Sequence, residues 1–183
     1  MKPISEGHAL RRLFKGLVEN TFCAEIGLCD PVLTDYMAEL LVNFVHVDAL
    51  YALRGADGKR LGELADMLDA LTGVAKAVGT TSQVRIHRHV GDFALFWSGV
   101  YPECLRRRRG LAGKDHLLDY VAQGKRSYAI ASDLADEDAT PSSSLLNRLS
   151  AEFEFCCHGL GLVRRGWEEA DPASAASARA LLY

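Results

Sequence analysis

No stretch of the chain approaches the roughly 20 consecutive apolar residues that a membrane span requires. Its start, MKPISEGHALRRLFKG, also lacks the apolar core of a signal peptide, so the expectation is a cytoplasmic protein with no membrane span. An excess of positive charge is missing too. With 21 Lys and Arg against 24 Asp and Glu, the formal net charge is -3, and a nucleic-acid or anionic-membrane partner would need a local basic patch. The five cysteines are odd in number, form no Cys-x-x-Cys pair and lie in apolar surroundings. They are expected to be reduced, mostly buried small hydrophobes rather than a disulfide framework. The HExxH, GxSxG, phosphate-loop and dinucleotide-binding patterns are all absent, as are internal repeats and any convincing period-two strand.

What is present is helical periodicity. At 183 residues, 49% of them hydrophobic and 25% charged, the chain is long enough for one full core. Leu10, Leu13, Phe14, Leu17 and Val18 recur every three or four residues and predict a first helix ending near Gly27. Asp30-Pro31 is a capping and first-turn pair that opens a second helix, whose stripe continues to Leu53. Leu61 to Leu71 form a third, stopping near Gly73, and a fourth begins after Thr80, Thr81 and Ser82. A fifth runs from Asp115 to Leu134, where Gly124 implies close approach by a neighbouring helix. After the connector DEDATPSSS, Leu145, Leu149, Phe153, Cys156, Leu160 and Val163 define a sixth. The fold expectation is an all-α single bundle of about six helices over residues 1–170. Residues 171–183 are an Ala/Ser-rich tail, in which Asp171-Pro172 can start a short helix.

The densest chemistry lies in RIHRHVGDFALFWSGVYPECLRRRRG, residues 85–110. His87 and His89 are two apart on a helix and point to different sides, so they do not chelate one ion. His89 and Asp92 are three apart and share a face with Phe93 and Phe96. The expectation is a buried structural hydrogen bond between them, with a tuned general base as the sharper alternative. Pro102 denies Tyr101 the α-region, so two helical pieces should meet at Gly99 to Pro102, with Glu103 near the second N-terminus. Arg106 to Arg109 followed by Gly110 reads as a helix C-terminus, with nucleic-acid binding as a disfavoured alternative. Glu154 and His158 are four apart and read as an ion pair or as metal ligands. The Glu-x-x-His pairs of a di-iron bundle are absent, since Phe155 and Cys157 occupy the places where histidine would stand.

The strings HRHVGDFALFWSGVYPE, LLDYVAQGKRSYAIAS and RLSAEFEFCCHGLGLVRRGWE, and more weakly NFVHVDALYAL, resemble a group of uncharacterised bacterial all-helical proteins. In that group a His, Gly-Asp, aromatic and Pro-Glu string precedes a Tyr- and Gly-rich helix. The resemblance implies the all-helical fold and carries no activity. It marks His89, Gly91, Asp92, Gly99, Pro102, Glu103, Tyr120, Gly124 and Tyr128 as matching positions.

The leading functional expectation is a non-enzymatic protein that binds a protein partner or a small ligand, with no cofactor and a pocket lined by His89, Asp92, Trp97, Tyr101, Glu103 and Tyr128. The alternative is a metal- or haem-dependent enzyme or sensor using His89, Glu103, Glu154 and His158.

Overall fold

The computed structural model describes residues 9–44, 53, 61, 63–74, 79–108 and 119–182. Among the described residues the regular elements are all helical: α1 (Ala9–Glu19), a π-helical segment (Asn20–Glu25), α2 (Pro31–Phe44), α3 (Leu64–Val74), α4 (Thr80–Gly99), α5 (Pro102–Arg108), α6 (Tyr120–Leu134), α7 (Ser143–Ala151), α8 (Phe153–Ala170) and α9 (Pro172–Leu182). No described helix is long and apolar enough to cross a membrane. The residues divide into two compact units, 1–50 with 158–183 and 51–157, and the division falls within α8.

In the first unit, α1 turns Phe14 and Val18 inward, and α2 contributes Leu33, Met37, Leu40, Leu41 and Phe44, all buried. Phe14 meets Trp167 of α8 edge-on, with ring centroids 4.9 Å apart. Asp30 caps α2 as its sequence implies, its Oδ1 accepting from the backbone N–H groups of Val32 and Leu33 at 2.8 and 3.1 Å. Between α1 and α2 the chain passes through the π-helical segment and reverses at Gly27, whose φ of 82° is the left-handed conformation that glycine adopts cheaply.

That reversal overturns one expectation. Cys23 and Cys29 form a disulfide with Cα atoms 4.4 Å apart. The cysteines are therefore not all reduced, because the Gly27 turn folds two residues six apart back onto one another. Cys104, Cys156 and Cys157 are free. Cys156 is fully buried on its helix stripe, as its spacing from Phe153 and Leu160 requires.

The second unit is organised around α4 and α6, which pack closely along their lengths. Two glycines permit it. A Cβ on Gly91 would lie 2.7 Å from the Tyr128 ring, and one on Gly124 would lie 2.5 Å from Phe153 and 2.9 Å from the Ala94 Cβ. Asp119 caps α6 through the N–H groups of Val121 and Ala122, and Ser142 caps α7 through that of Leu145. Ser150 Oγ donates to the Lys125 carbonyl at 2.8 Å, and Lys125 Nζ reaches both Glu154 oxygens at 2.8 and 3.0 Å. These bonds hold α7 and the start of α8 against α6.

The count of about six helices is exceeded for local reasons. Proline starts α5 after the Gly99 to Tyr101 break, as expected, and Pro172 starts α9. The expected sixth helix is two, α7 and α8, because Glu152 leaves the helical region (φ −101°, ψ 23°). The apolar stripe survives that break, with Leu145, Leu149, Phe153, Cys156, Leu160 and Val163 all buried. The segment from Val45 to Ala52 on the expected second helix lies outside the described residues, as does the start of the expected fifth.

Candidate functional site

Helix α4 carries a polar face and an aromatic face. Its polar face falls at Ser82, Arg85, Arg88, His89 and Asp92, each three or four residues from another of the set and hence stacked turn upon turn. Together with Ile86 and Leu53 these residues line a groove of about 510 Å³, a volume ordinary for a small-molecule site.

Asp92 forms the buried floor. Its side chain is 10% exposed. Tyr128 Oη donates to Asp92 Oδ1 at 2.7 Å, and Arg88 Nε lies 3.5 Å from Oδ2. Each link has a sequence cause. Gly91 leaves the space in which the Tyr128 ring lies flat against α4, which brings the phenol to the neighbouring carboxylate. Arg88 stands one turn before Asp92. A carboxylate that receives a buried phenolic O–H holds its own position, and so in turn orients the guanidinium that pairs with it. Arg88 is partly exposed, with 37% of its side chain open to solvent. Arg85 is exposed and has no counter-charge among the described residues, and Ser82 and His89 are partly exposed in the same lining.

The sequence-predicted pocket is thus brought together only in part. His89 and Asp92 line the groove, and Tyr128 stands behind Asp92. The carboxylate is buried as expected, and Tyr128 and Arg88 are among its partners. Trp97 and Tyr101 are core residues, 1% and 2% exposed, in an aromatic cluster with Phe96 at centroid distances of 5.7 to 6.4 Å. Glu103 is partly exposed in the first turn of α5. The groove residues that sequence reasoning missed are Ser82, Arg85, Ile86, Arg88 and Leu53. The first four carried a readable signal, the spacing shared with His89 and Asp92.

His87, on another side of α4, is half-buried, and its Nδ1 has no hydrogen-bond partner among the described residues. Burial, helped by the Arg126 cation, lowers its pKa below the ordinary histidine value. Both effects favour its neutral imidazole form.

The metal alternative draws on His89, Glu103, Glu154 and His158, and among the described residues no group of three or more His, Cys, Asp or Glu side chains could hold a metal ion. Glu154 is engaged by Lys125, whose ammonium holds its carboxyl below the usual range. Cys156 and Cys157 are poor thiolate ligands, since burial raises both to about 12. The side chains of Arg106 to Arg109 lie outside the described residues.

A second groove, of about 450 Å³, lies in the other unit between α1 and α2. Most of its charges are spent on one another: Arg11 pairs twice with Glu39, and Lys15 Nζ lies 3.0 Å from Asp35 Oδ1, while Arg12 stands exposed in the same lining. It reads as a helix-to-helix ion-pair seam, whereas the α4 groove is distinguished by the buried Asp92 carboxylate at its floor and the Tyr128 phenol that holds it.

No family model, no curated protein and no solved structure matches the chain. The functional reading therefore rests on this geometry.

Proposed function

We propose that the protein is a non-enzymatic binding protein that seats a small polar molecule in the α4 groove. The observation that carries this reading is the chain of contacts Tyr128 to Asp92 to Arg88, which fixes a guanidinium at the wall of a groove from a buried floor. Helix packing alone does not need it. A buried carboxylate costs free energy unless it is paired, and a purely structural α4–α6 contact is made more cheaply by apolar groups. Preorganised polar groups facing an open groove are the usual means by which ligand sites fix orientation.

The reading is tested by thermal denaturation across a panel of small polar metabolites. A ligand at about one hundred times its Kd should stabilise by about 2.7 kcal/mol, a rise of several degrees in Tm, and Arg88→Ala should lose that rise. A panel that shifts wild type and Arg88→Ala equally would refute the site.

The cytoplasmic location belongs to the same proposal and meets one opposing observation. Disulfides such as Cys23–Cys29 persist in oxidising compartments, while a cytosolic chain holds such a pair as two thiols. The redox state of that pair in protein from its native source decides between the two.

A further inference from the structure

We infer that the ligand of the α4 groove is a small organic anion, a carboxylate or phosphate ester, whose charged group is bound by Arg85 and flanked by Ser82 and His89. The inference rests on the reading of the groove as a ligand site and names the chemistry of its occupant.

The first argument is charge. Of the ionised groups lining the groove, Arg88 is balanced by Asp92, while Arg85 has no acidic partner among the described residues. Among the described residues the groove therefore keeps one positive charge, in a protein whose formal net charge is negative. This local sign is opposite to the overall one, and it selects anions from solution. The second argument is donor placement. Ser82 precedes Arg85 by three residues and His89 follows it by four, so a hydroxyl, a guanidinium and an imidazole stand in line on one helix face, spanning about 10 Å at 1.5 Å per residue. A planar guanidinium grips a carboxylate or phosphate through two parallel bonds, and neighbouring donors can meet the remaining oxygens. The third argument is the rest of the lining. Ile86 and Leu53 give the groove apolar surface beside the charged groups, which suits an anion carrying a carbon skeleton better than a bare inorganic ion.

The test uses isothermal titration of the full chain with four probes: phenyl phosphate, benzoate, inorganic phosphate and neutral benzamide. Phenyl phosphate or benzoate should bind saturably, inorganic phosphate at least tenfold more weakly than the better of them, and benzamide not measurably. The preference between phenyl phosphate and benzoate identifies the phosphate or the carboxylate as the natural head group. Arg85→Ala should weaken the better anion at least tenfold and Arg85→Lys less, because lysine keeps the charge without the fork. Arg165→Ala, an exposed cation in the other unit, should leave it unchanged. Arg85 is exposed, so its substitution is not expected to unfold the protein, and an unchanged Tm of the free variant checks that. Benzamide binding as tightly as benzoate, with loss only in Arg88→Ala, would overturn the anionic class while leaving the groove a ligand site. Binding of the anion that is equal in wild type and Arg85→Ala, or absent for all four probes, would also overturn it. In those cases the metabolite panel of the preceding section, read with Arg88→Ala, judges the groove separately.

Discussion

At the scale of single residues, Tyr128 and Asp92 decide how the α4 groove is built. Tyr128→Phe removes a phenolic donor from a buried carboxylate and should cost about 1–3 kcal/mol in denaturant unfolding. It should also weaken ligand binding, because Arg88 loses part of what orients it. A variant as stable as wild type would show that the bond contributes nothing net. His87 makes a pH prediction. Its folded pKa is lowered, so below the ordinary value near 6.5 the unfolded chain takes up a proton that the folded chain refuses. Stability contributed by neutral His87 is therefore present above that value and lost as pH falls towards the lowered one. His87→Gln should lose less stability between pH 7.5 and pH 5.5 than wild type does, as read from urea midpoints; equal losses would contradict the shift. Residue-scale features were partly legible in the sequence. Asp30 as a cap and Pro102 as a restart are local, since each acts on residues within one turn of itself. The partner of Asp92 was not legible, because Tyr128 is 36 positions away and no spacing rule reaches it. The Cys23–Cys29 bond was hidden for a related reason. It depends on the π-helical segment and the left-handed Gly27, which hydrophobic periodicity does not register.

At the scale of elements, the account turns on how closely α4 and α6 approach. Gly124→Ala would place a methyl 2.5 Å from the Phe153 ring and 2.9 Å from the Ala94 Cβ, where neither neighbour can yield easily. Overpacking of this kind costs about 1–3 kcal/mol, and a thermal melt should show Tm lowered by several degrees. An unchanged Tm would mean that the helices separate freely. The close approach at Gly124 was legible as a glycine inside a helix, where alanine would otherwise be favoured. Helix α8 makes a second prediction. With Cys156 and Cys157 both raised to about 12 by burial, the folded chain at pH 8 should react with a thiol reagent at these positions far more slowly than the unfolded chain does. The stripe containing Cys156 was read correctly across the interruption at Glu152. One residue leaving the helical region keeps the spacing of three and four, so the pattern cannot reveal the break.

At the scale of the whole molecule, the all-helical class followed from periodicity, while the division into two units did not, since the stripes of both have the same period. Function was the least legible level. Trp97 and Tyr101, expected to line a pocket, are core, whereas Arg85 and Arg88, to which the sequence reading gave no role, line the groove. Burial is what separates the two groups, and it is a property of the folded chain. One whole-molecule prediction concerns redox state: protein unfolded without reductant should show three titratable thiols, Cys104, Cys156 and Cys157. Five would mean that Cys23 and Cys29 are a dithiol. The central claim is that the polar face of α4 is a ligand site, and its most direct measurement is a backbone amide NMR titration with the best-binding molecule of the panel. The account predicts saturable shifts centred on Ser82, Arg85, Ile86, Arg88, His89 and Asp92. Shifts confined to other helices, with this face unmoved at saturation, would contradict it.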